Sequence, residues 1–335
     1  MKRFCYLLMI VVFVFAAVSI SQAEEAQPEE FTSGNYIYIL WEDGSAETIK
    51  YTGSEEKCVI PEQLDGHKVV SVGKDTFYRC EKVKSVSIPD GVINIGEDAF
   101  FACRYLKSIM IPNSVTSIGG GAFSLCERLE SVKLPDNLMS LGNCAFANCY
   151  ELKSITLPDS MIEIGFNPFA DCIILTDIFV SPDHPALAVI DGVLFSKADK
   201  RLITFPIASG KTEYAIPQGI QVIDSQAFCN CENLTSVTIP DSVTSIESDA
   251  FGVCRNITSI TIPDSVTNIG NYAFNGCYAL TSVVIPDSVT SIGKGAFYSC
   301  EKITCTVGRD SYAKEYCKEN DIKYTYADAN DWLNK

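Results

Sequence analysis

Cysteine is the residue type in this 335-residue chain whose spacing most directly suggests chemistry. Nine of the 15 cysteines recur at steps of 23 residues in two groups, and they are Cys80, Cys103, Cys126, Cys149, Cys172, Cys231, Cys254, Cys277 and Cys300. Thiols at a regular spacing can form disulfides, bind zinc or pack as free thiols in a core. Which of these occurs depends on the elements that hold the side chains.

A buried ladder of free thiols is the interpretation we favour. Equivalent residues in adjacent units of a parallel array lie about 4.8 Å apart, and a disulfide needs Cα atoms about 4.4 to 6.8 Å apart. Distance therefore permits disulfides, which remain the alternative, but side chains that point inward in parallel do not point at one another. Zinc is disfavoured because closely spaced cysteine pairs are missing apart from Cys229 and Cys231. We expect no metal and no other cofactor.

Carboxylates and histidines give little support to catalysis. Aspartate follows a proline in most units, at Asp90, Asp136, Asp159, Asp241, Asp264 and Asp287. One such residue per unit is typical of a turn former, and a cation bridging stacked aspartates is the alternative. Both histidines, His67 and His184, lie near glycine or proline, so we expect exposed loop residues. No nucleophile elbow, metalloprotease motif or phosphate loop occurs, so we expect no catalytic residue and no enzyme.

Phenylalanine reveals the elements that position these residues. Each repeat cysteine stands three residues after a phenylalanine, and the series is Phe77, Phe100, Phe123, Phe146, Phe169, Phe228, Phe251, Phe274 and Phe297. A fixed period of this length predicts a solenoid, in which each unit buries its apolar side against its neighbours.

Residues 106–128 show one unit. Leu106, Ile109 and Ile111 predict a strand, which Pro112 ends because proline lacks the N–H that a central ladder needs. A turn and a second short extended segment follow. The residues around Phe123 have the spacing of a single helical or 3₁₀ turn.

This unit resembles the leucine-rich repeats, and more narrowly the subtype of the BspA-like and treponemal surface proteins, over about residues 36–326. The segment from Ile262 to Leu280 supplies every element of that pattern. The resemblance implies a right-handed, curved solenoid of parallel β-strands with short 3₁₀ or helical turns and with the strand sheet on its inner face. It also implies a role in adhesion or protein binding at a cell surface.

The ends of the chain indicate the compartment. Lys2 and Arg3 precede an apolar run of residues 4–20, and small residues lead to Ala23, as in a secretory signal peptide. The run is short for a retained span, so we expect no membrane span in the mature chain and a secreted or surface-held protein. The expected segments are a signal peptide (1–23), a disordered acidic lead (24–35), an N-terminal cap hairpin (36–60), a first repeat block (61–180), a degenerate repeat with a hairpin insertion (181–216), a second repeat block (217–308) and a C-terminal cap and tail (309–335).

The insertion between the blocks has two interpretations. Phe169 and Phe228 are 59 residues apart, and residues 191–206 read as a short hairpin. This hairpin is either a spacer that alters the curvature of the array or a recognition element that projects from it.

Net charge and exposed strand positions suggest the kind of partner. A net charge of −16 opposes binding of nucleic acid and anionic lipid. Exposed strand positions carry lysine and large apolar residues in the first block but serine and threonine in the second. The expected binding residues, for a host or surface protein that is itself acidic, are Lys84, Lys107, Met110, Lys133, Lys153, Thr156 and Phe179. The alternative is a structural envelope or matrix component that associates with itself.

Overall fold

A computed structural model describes residues 28–328, so the expected signal peptide lies outside the described residues. The strands of the N-terminal half are β1 (Phe31–Ser33), β2 (Tyr36–Leu40), β3 (Ala46–Tyr51), β4 (Lys57–Val59), β5 (Gln63–Leu64), β6 (His67–Val72), β7 (Ser85–Ser87), β8 (Asn94–Ile95), β9 (Ser108–Met110), β10 (Ser117–Ile118), β11 (Ser140–Leu141), β12 (Ser154–Thr156), β13 (Glu163–Ile164) and β14 (Asp177–Phe179). The remaining strands are β15 (Leu187–Ile190), β16 (Val193–Ser196), β17 (Arg201–Thr204), β18 (Glu213–Ala215), β19 (Val222–Ile223), β20 (Ser236–Thr238), β21 (Ser245–Ile246), β22 (Ser259–Thr261), β23 (Asn268–Ile269), β24 (Ser282–Val284), β25 (Ser291–Ile292), β26 (Thr304–Val307) and β27 (Lys323–Tyr326). The described helices are a 3₁₀ helix (Ile207–Ser209) and α1 (Tyr312–Glu319).

Each repeat is one coil of a solenoid with two parallel β-ladders. In most coils a three-residue strand lies beside its equivalent in the next, with Ser85 opposite Ser108. We call the outer surface of these strands the long-strand face. A two-residue strand forms the second ladder, with Ser117 opposite Ser140, and its outer surface is the short-strand face. Both registers advance by 23 residues, so the solenoid predicted from the phenylalanine spacing is confirmed.

The third side of the coil is the turn column, which runs from two residues before to two residues after each repeat phenylalanine. Its terminal residues have positive φ, as at Ala102 (56°) and Leu125 (59°). In this conformation alternate N–H groups point to the next coil, and Phe100 N donates to the Ala122 carbonyl at 2.8 Å. The expected helical or 3₁₀ turn is therefore replaced by consecutive hydrogen-bonded turns, because left-handed residues interrupt helical backbone.

The core is a stack of the repeat phenylalanines. Within each block, neighbouring rings lie 4.9–6.1 Å apart between centroids and within 19° of parallel. Offset stacking of this kind adds about 0.5–1.5 kcal/mol per pair to the free energy gained by burial. The spacing seen in the sequence is thus the spacing of a continuous aromatic column.

The repeat cysteines lie beside this column as free thiols. In eight of the nine, Sγ donates to the carbonyl of the phenylalanine 26 residues earlier, at 3.0–3.9 Å. Burial raises the pKa of the Cys126 and Cys254 thiols well above the ordinary range. The ladder is therefore apolar core material that also satisfies backbone carbonyls.

The N-terminal cap begins earlier than the sequence predicted. Strand β1 pairs antiparallel with β2, with Phe31 opposite Tyr38, and β2 pairs with β3. The expectation of disorder throughout residues 24–35 is therefore wrong for β1, because Phe31 packs on the core. Strand β4, which lies in the segment that the sequence predicts as the cap, pairs in parallel with β7 and belongs to the array.

His184 is buried, with 1% of its surface exposed, and not an exposed loop residue. Its Nδ1 accepts hydrogen bonds from the backbone N–H groups of Ala186 (3.1 Å) and Leu187 (3.0 Å). Because Nδ1 is an acceptor, Nε2 carries the proton, which it donates to the Pro158 carbonyl at 3.0 Å. His67 is also not in a loop, since it begins β6 and is half-buried.

The insertion lies inside the molecule. β15, β16 and β17 form an antiparallel unit, and all four residues of β16 are buried. Leu194 and Ile203 belong to the apolar core of the first block, whereas Val193 and Phe195 belong to that of the second. Strands β15 to β17 therefore lie between the two apolar cores, and we call this unit the septum. The interpretation of a projecting recognition hairpin is wrong.

The C-terminal coil is one residue short. Val283 pairs with Cys305, a step of 22, so Cys305 and Val307 occupy the buried positions. Helix α1 follows, capped by the Ser311 hydroxyl, which accepts from Lys314 N at 3.1 Å. Strand β27 then extends the long-strand ladder beyond β26.

Candidate binding surface

The predicted binding residues lie in two rows on the long-strand face, separated by a row that is mostly serine. Their order follows the registers of β4, β7 and β9, and of β12 and β14. The first, which we call the apolar row, contains Val59, Ser87, Met110, Lys133, Thr156 and Phe179. The second, which we call the charged row, contains Glu56, Lys84, Lys107, Glu130, Lys153 and Thr176. Val59 and Glu56 were missed because they belong to the segment interpreted as cap.

Glutamates interrupt the charged row. Lys84 Nζ lies 2.6 Å from Glu56 Oε1, and Lys107 Nζ lies 3.4 Å from Glu130 Oε1. About half of each lysine side chain is exposed, and such pairs contribute only about 0–1 kcal/mol. Lys133 and Lys153 form no ion pair within residues 28–328. Of the four lysines predicted to bind a partner, Lys84 and Lys107 are therefore paired, and Lys133 and Lys153 are not.

Large apolar side chains flank the free lysines. Val59 is 71% exposed, Met110 67% and Phe179 54%. Burying such side chains contributes roughly 1.5–3 kcal/mol each, which is more than an exposed ion pair contributes. The affinity of this face would come from the apolar row, and the charges would orient the partner.

The long-strand ladder is open at the centre of this surface. No backbone hydrogen bond joins residues 131–134 to β9 or β12 in the part of the chain that the structure describes. A crevice of about 360 Å³ lies between residues 131–136 and 154–158, and Lys133 and Thr156 line it. The short-strand ladder through the same coils is continuous.

The threonines of the second block have a structural role. Thr235 Oγ1 donates to the Thr212 carbonyl at 3.0 Å, and Thr281 Oγ1 donates to the Thr258 carbonyl at 3.1 Å. These hydroxyls are engaged with the coil before them, so the second half of the face offers fewer free groups to a partner.

Residues 28–328 contain no cluster of metal ligands and no long apolar helix. No group of three or more histidine, cysteine, aspartate or glutamate side chains is arranged to hold a metal ion there. No helix in that part of the chain is long and apolar enough to cross a membrane.

Comparison with known proteins identifies similar chains. The family model for the BspA-type leucine-rich repeat region matches residues 56–200 and 207–318, in six copies. The pneumococcal vaccine antigen PcpA is 20% identical, with a TM-score of 0.62 over 89% of this chain and 98% of that one. A leucine-rich repeat protein from Eubacterium ventriosum is 22% identical, with a TM-score of 0.60 over 82% of this chain and 77% of that one. These two structures share the fold. Among curated proteins, none matches this chain.

Proposed function

Because the chain belongs to the BspA-type leucine-rich repeat family, we propose that it is a secreted or cell-surface protein that binds another protein through its long-strand face and catalyses no reaction. A repeat array of this kind presents an extended surface and is suited to protein recognition. The binding residues are those of the apolar and charged rows in the first block, including Lys84, Lys107, Lys153 and Thr156.

One observation supports this proposal above the others. Met110 and Phe179 are more than half exposed on a face whose second half is almost entirely serine and threonine. Exposed apolar side chains beside charge are typical of binding patches. A face serving only to fold the array would have no need of this asymmetry between blocks.

The partner we propose carries an acidic segment. The chain has a net charge of −16, which repels an acidic protein at long range. Lys133 and Lys153 supply local attraction once the partner is within about 8–10 Å, the screening distance at physiological salt. Lowering the salt concentration should therefore slow the encounter rather than speed it.

Binding through this face is tested by a matched pair of triple variants. Replacing Lys107, Met110 and Lys133 with alanine should weaken binding of a partner protein about tenfold or more, or about 1.4 kcal/mol. None of the three side chains is buried, so the melting temperature should stay nearly unchanged. The control replaces Thr235, Thr238 and Thr261, which hold the same positions in the second block. An equal loss of affinity in both variants would show that the binding site does not lie in the first block of this face.

Secretion is tested on the protein made by its own cells. The sequence predicts cleavage after Ala23, so the exported protein should begin at Glu24. N-terminal sequencing of protein from the medium and the cell surface would check this. Intact residues 1–23 on a cytoplasmic product would contradict the proposal.

Self-association is the second candidate, and the short-strand face favours it. Ile93, Met139 and Ile162 are 46–57% exposed in one column, and the second block has Thr244, Thr267 and Thr290 at the same position. Light scattering over a concentration series would show the mass rising with concentration, and the triple threonine variant at Ile93, Met139 and Ile162 should abolish that rise. A constant monomer mass would eliminate this candidate.

A further inference from the structure

The turn column is incomplete where the two repeat blocks meet. The Phe205 ring packs against Phe228 at a tilt of 31° with 5.1 Å between centroids, and Phe205 N donates to the Ala227 carbonyl at 2.9 Å. The chain then enters the 3₁₀ helix Ile207–Ser209 and does not form the turns that follow a repeat phenylalanine. A cleft of about 580 Å³ remains there, which we call the junction cleft. Its polar walls are Asn148, Tyr150, Asp171, Asn230, Glu232 and Asn233.

The side chains of the junction cleft differ from their equivalents in other coils. Two residues after the repeat phenylalanine, the cleft has Asn148, Asp171 and Asn230, whereas the remaining coils have Arg79, Ala102, Leu125, Val253, Gly276 and Ser299. All nine have φ of 56–69°, so the left-handed backbone does not itself require an amide or a carboxylate. Among the repeat coils, side-chain amides and carboxylates at this position therefore occur only at the gap.

Hydrogen bonds between the blocks fix the orientation of these groups. Asn230 Nδ2 donates to Asp171 Oδ1 at 2.5 Å, which leaves Asp171 Oδ2 and Asn230 Oδ1 as acceptors. The Tyr150 hydroxyl donates to Asn148 Oδ1 at 3.2 Å, which leaves the Asn148 amide N–H groups as donors. The cleft therefore has both donors and acceptors with which to hold a ligand.

The walls also provide apolar area. Ile173, 54% exposed, and the half-buried Ile207 line the cleft together with the Tyr150 ring. Sites for small ligands are concave spaces of about 300–1,000 Å³ that combine apolar walls with a few oriented polar groups. The junction cleft has the size and the composition of such a site.

The charges and donors of the cleft select one class of ligand. Asp171 and Glu232 repel an anion, although Arg255 Nε lies 3.1 Å from Glu232 Oε1. Among the described residues no cluster of three metal ligands occurs, so a metal ion has too few partners. A neutral polyhydroxy ligand fits, because each hydroxyl both donates and accepts and the C–H face of a sugar ring can pack on an aromatic ring.

We propose that the junction cleft is a binding site for a neutral carbohydrate unit, held by Asn148, Asp171, Asn230 and Asn233 and packed against Tyr150. This site is separate from the long-strand face and does not depend on the proposed protein-binding function. It would allow the array to engage a glycan at the boundary between its two blocks.

Saturation-transfer NMR with free sugars tests the proposal. The probes are glucose, galactose, mannose, N-acetylglucosamine and N-acetylgalactosamine, with N-acetylneuraminic acid as the anionic comparison and n-butylamine as a mimic of a lysine side chain. At least one neutral sugar should bind with a Kd of about 1 mM, typical of a weak site near −4 kcal/mol. The anionic sugar should bind more weakly, because two carboxylates face it.

Variants locate the site without breaking the contact between the blocks. Tyr150→Ala combined with Asn233→Ala should weaken sugar binding about tenfold and leave the Asp171–Asn230 hydrogen bond in place. Tyr278→Ala is the control, since Tyr278 holds the coil position of Tyr150 but lies outside the cleft. Melting curves of both variants should match the wild type within a few degrees.

Three outcomes would overturn the proposal. They are the absence of a signal from every neutral sugar, an equal loss of binding in the control, and preferential binding of n-butylamine, which would make the cleft a contact for a basic protein side chain.

Discussion

At the residue scale, position in the coil decides what a side chain does. Cys126 is chemically a nucleophile, yet its thiol donates to the Phe100 carbonyl at 3.3 Å and is fully buried. Burial disfavours the thiolate, which is the reactive form. Cys80, Cys144 and Cys229 lie at the margin of the core and are half-buried. Thiol reactivity should therefore differ between the buried and the half-buried cysteines.

Thiol labelling should separate these two groups. Burial raises the pKa of Cys80 and of Cys144 to about 11, so at pH 8 only a small fraction is thiolate. Below the pKa this fraction rises about tenfold per pH unit, so the labelling rate of the folded protein should rise steeply between pH 8 and pH 10. Mass spectrometry of the labelled peptides measures it.

A double variant and a denatured sample provide the controls. Replacing Cys80 and Cys144 with serine should remove most labelling of the native protein. In denaturant without reductant, nearly all repeat cysteines should react. A count near zero in that sample would mean that the ladder is disulfide-bonded and that our description of it is wrong.

At the element scale, the septum depends on a small number of polar contacts. His184 Nδ1 accepts from two backbone N–H groups at the start of β15, and Lys197 Nζ donates to the His184 carbonyl at 2.6 Å. Arg201 pairs with the buried Asp224 and also donates to the Ile164 carbonyl. A buried donor that loses its partner costs about 1–3 kcal/mol. His184 should accordingly contribute more to the free energy of unfolding than a residue in a connecting segment usually does.

Replacing His184 with alanine should lower the free energy of unfolding by about 2 kcal/mol or more, because two buried N–H groups lose their acceptor. His184→Asn should recover part of this loss, since the amide oxygen can stand near the position of Nδ1. His67→Ala is the matched control, because His67 makes one hydrogen bond, to the Gly44 carbonyl at 2.8 Å. Chemical denaturation of the three variants measures the differences, and a larger loss at His67 would contradict this account.

Sequence reasoning succeeded where the period determines the structure and failed where the chain departs from it. The phenylalanine and cysteine columns could be predicted because each coil repeats one environment. The left-handed turn positions could not, since residues as ordinary as Arg79 and Val253 occupy them. Glu56 pairs with Lys84 from a segment without an evident repeat, and the burial of His184 results from tertiary packing of the septum.

At the scale of the whole molecule, the septum separates two apolar cores. The first extends to Leu194 and Ile203, and the second begins at Val193 and Phe195. Within residues 28–328, direct hydrogen bonds between the two repeat blocks all involve side chains, such as Asn167 Nδ2 to the Gln226 carbonyl at 2.6 Å. Because stability in a repeat array is a sum of local terms, we expect the two blocks to unfold as separate units once one of them is weakened.

Phe274→Ala should lower the free energy of unfolding of the second block by about 3–5 kcal/mol, as for a buried aromatic side chain. Hydrogen exchange should accelerate in β20 to β25 and change little in β7 to β12. Phe123→Ala is the mirror-image variant and should accelerate exchange in the first block. Equal acceleration in both blocks would show that the two blocks unfold as one cooperative unit. An unchanged melting temperature in both variants would show that neither ring contributes to the core.

The hydrogen bonds of the turn column all run in one direction. In each coil the N–H groups point toward the coil that follows, as from Phe77 to Ala99 (2.7 Å) and from Phe274 to Ala296 (2.7 Å). Peptide dipoles of about 3.5 D that align along an axis sum to partial charges at its ends. In an α-helix the positive end is N-terminal, but here the N–H groups face the C-terminal end. Beside the short-strand ladder the N–H groups point the other way, as from Gly96 to Val72 (2.7 Å) and from Gly119 to Ile95 (2.8 Å). The dipoles on the two sides of each coil therefore oppose one another, so adding coils lengthens the array without building up charge at its ends.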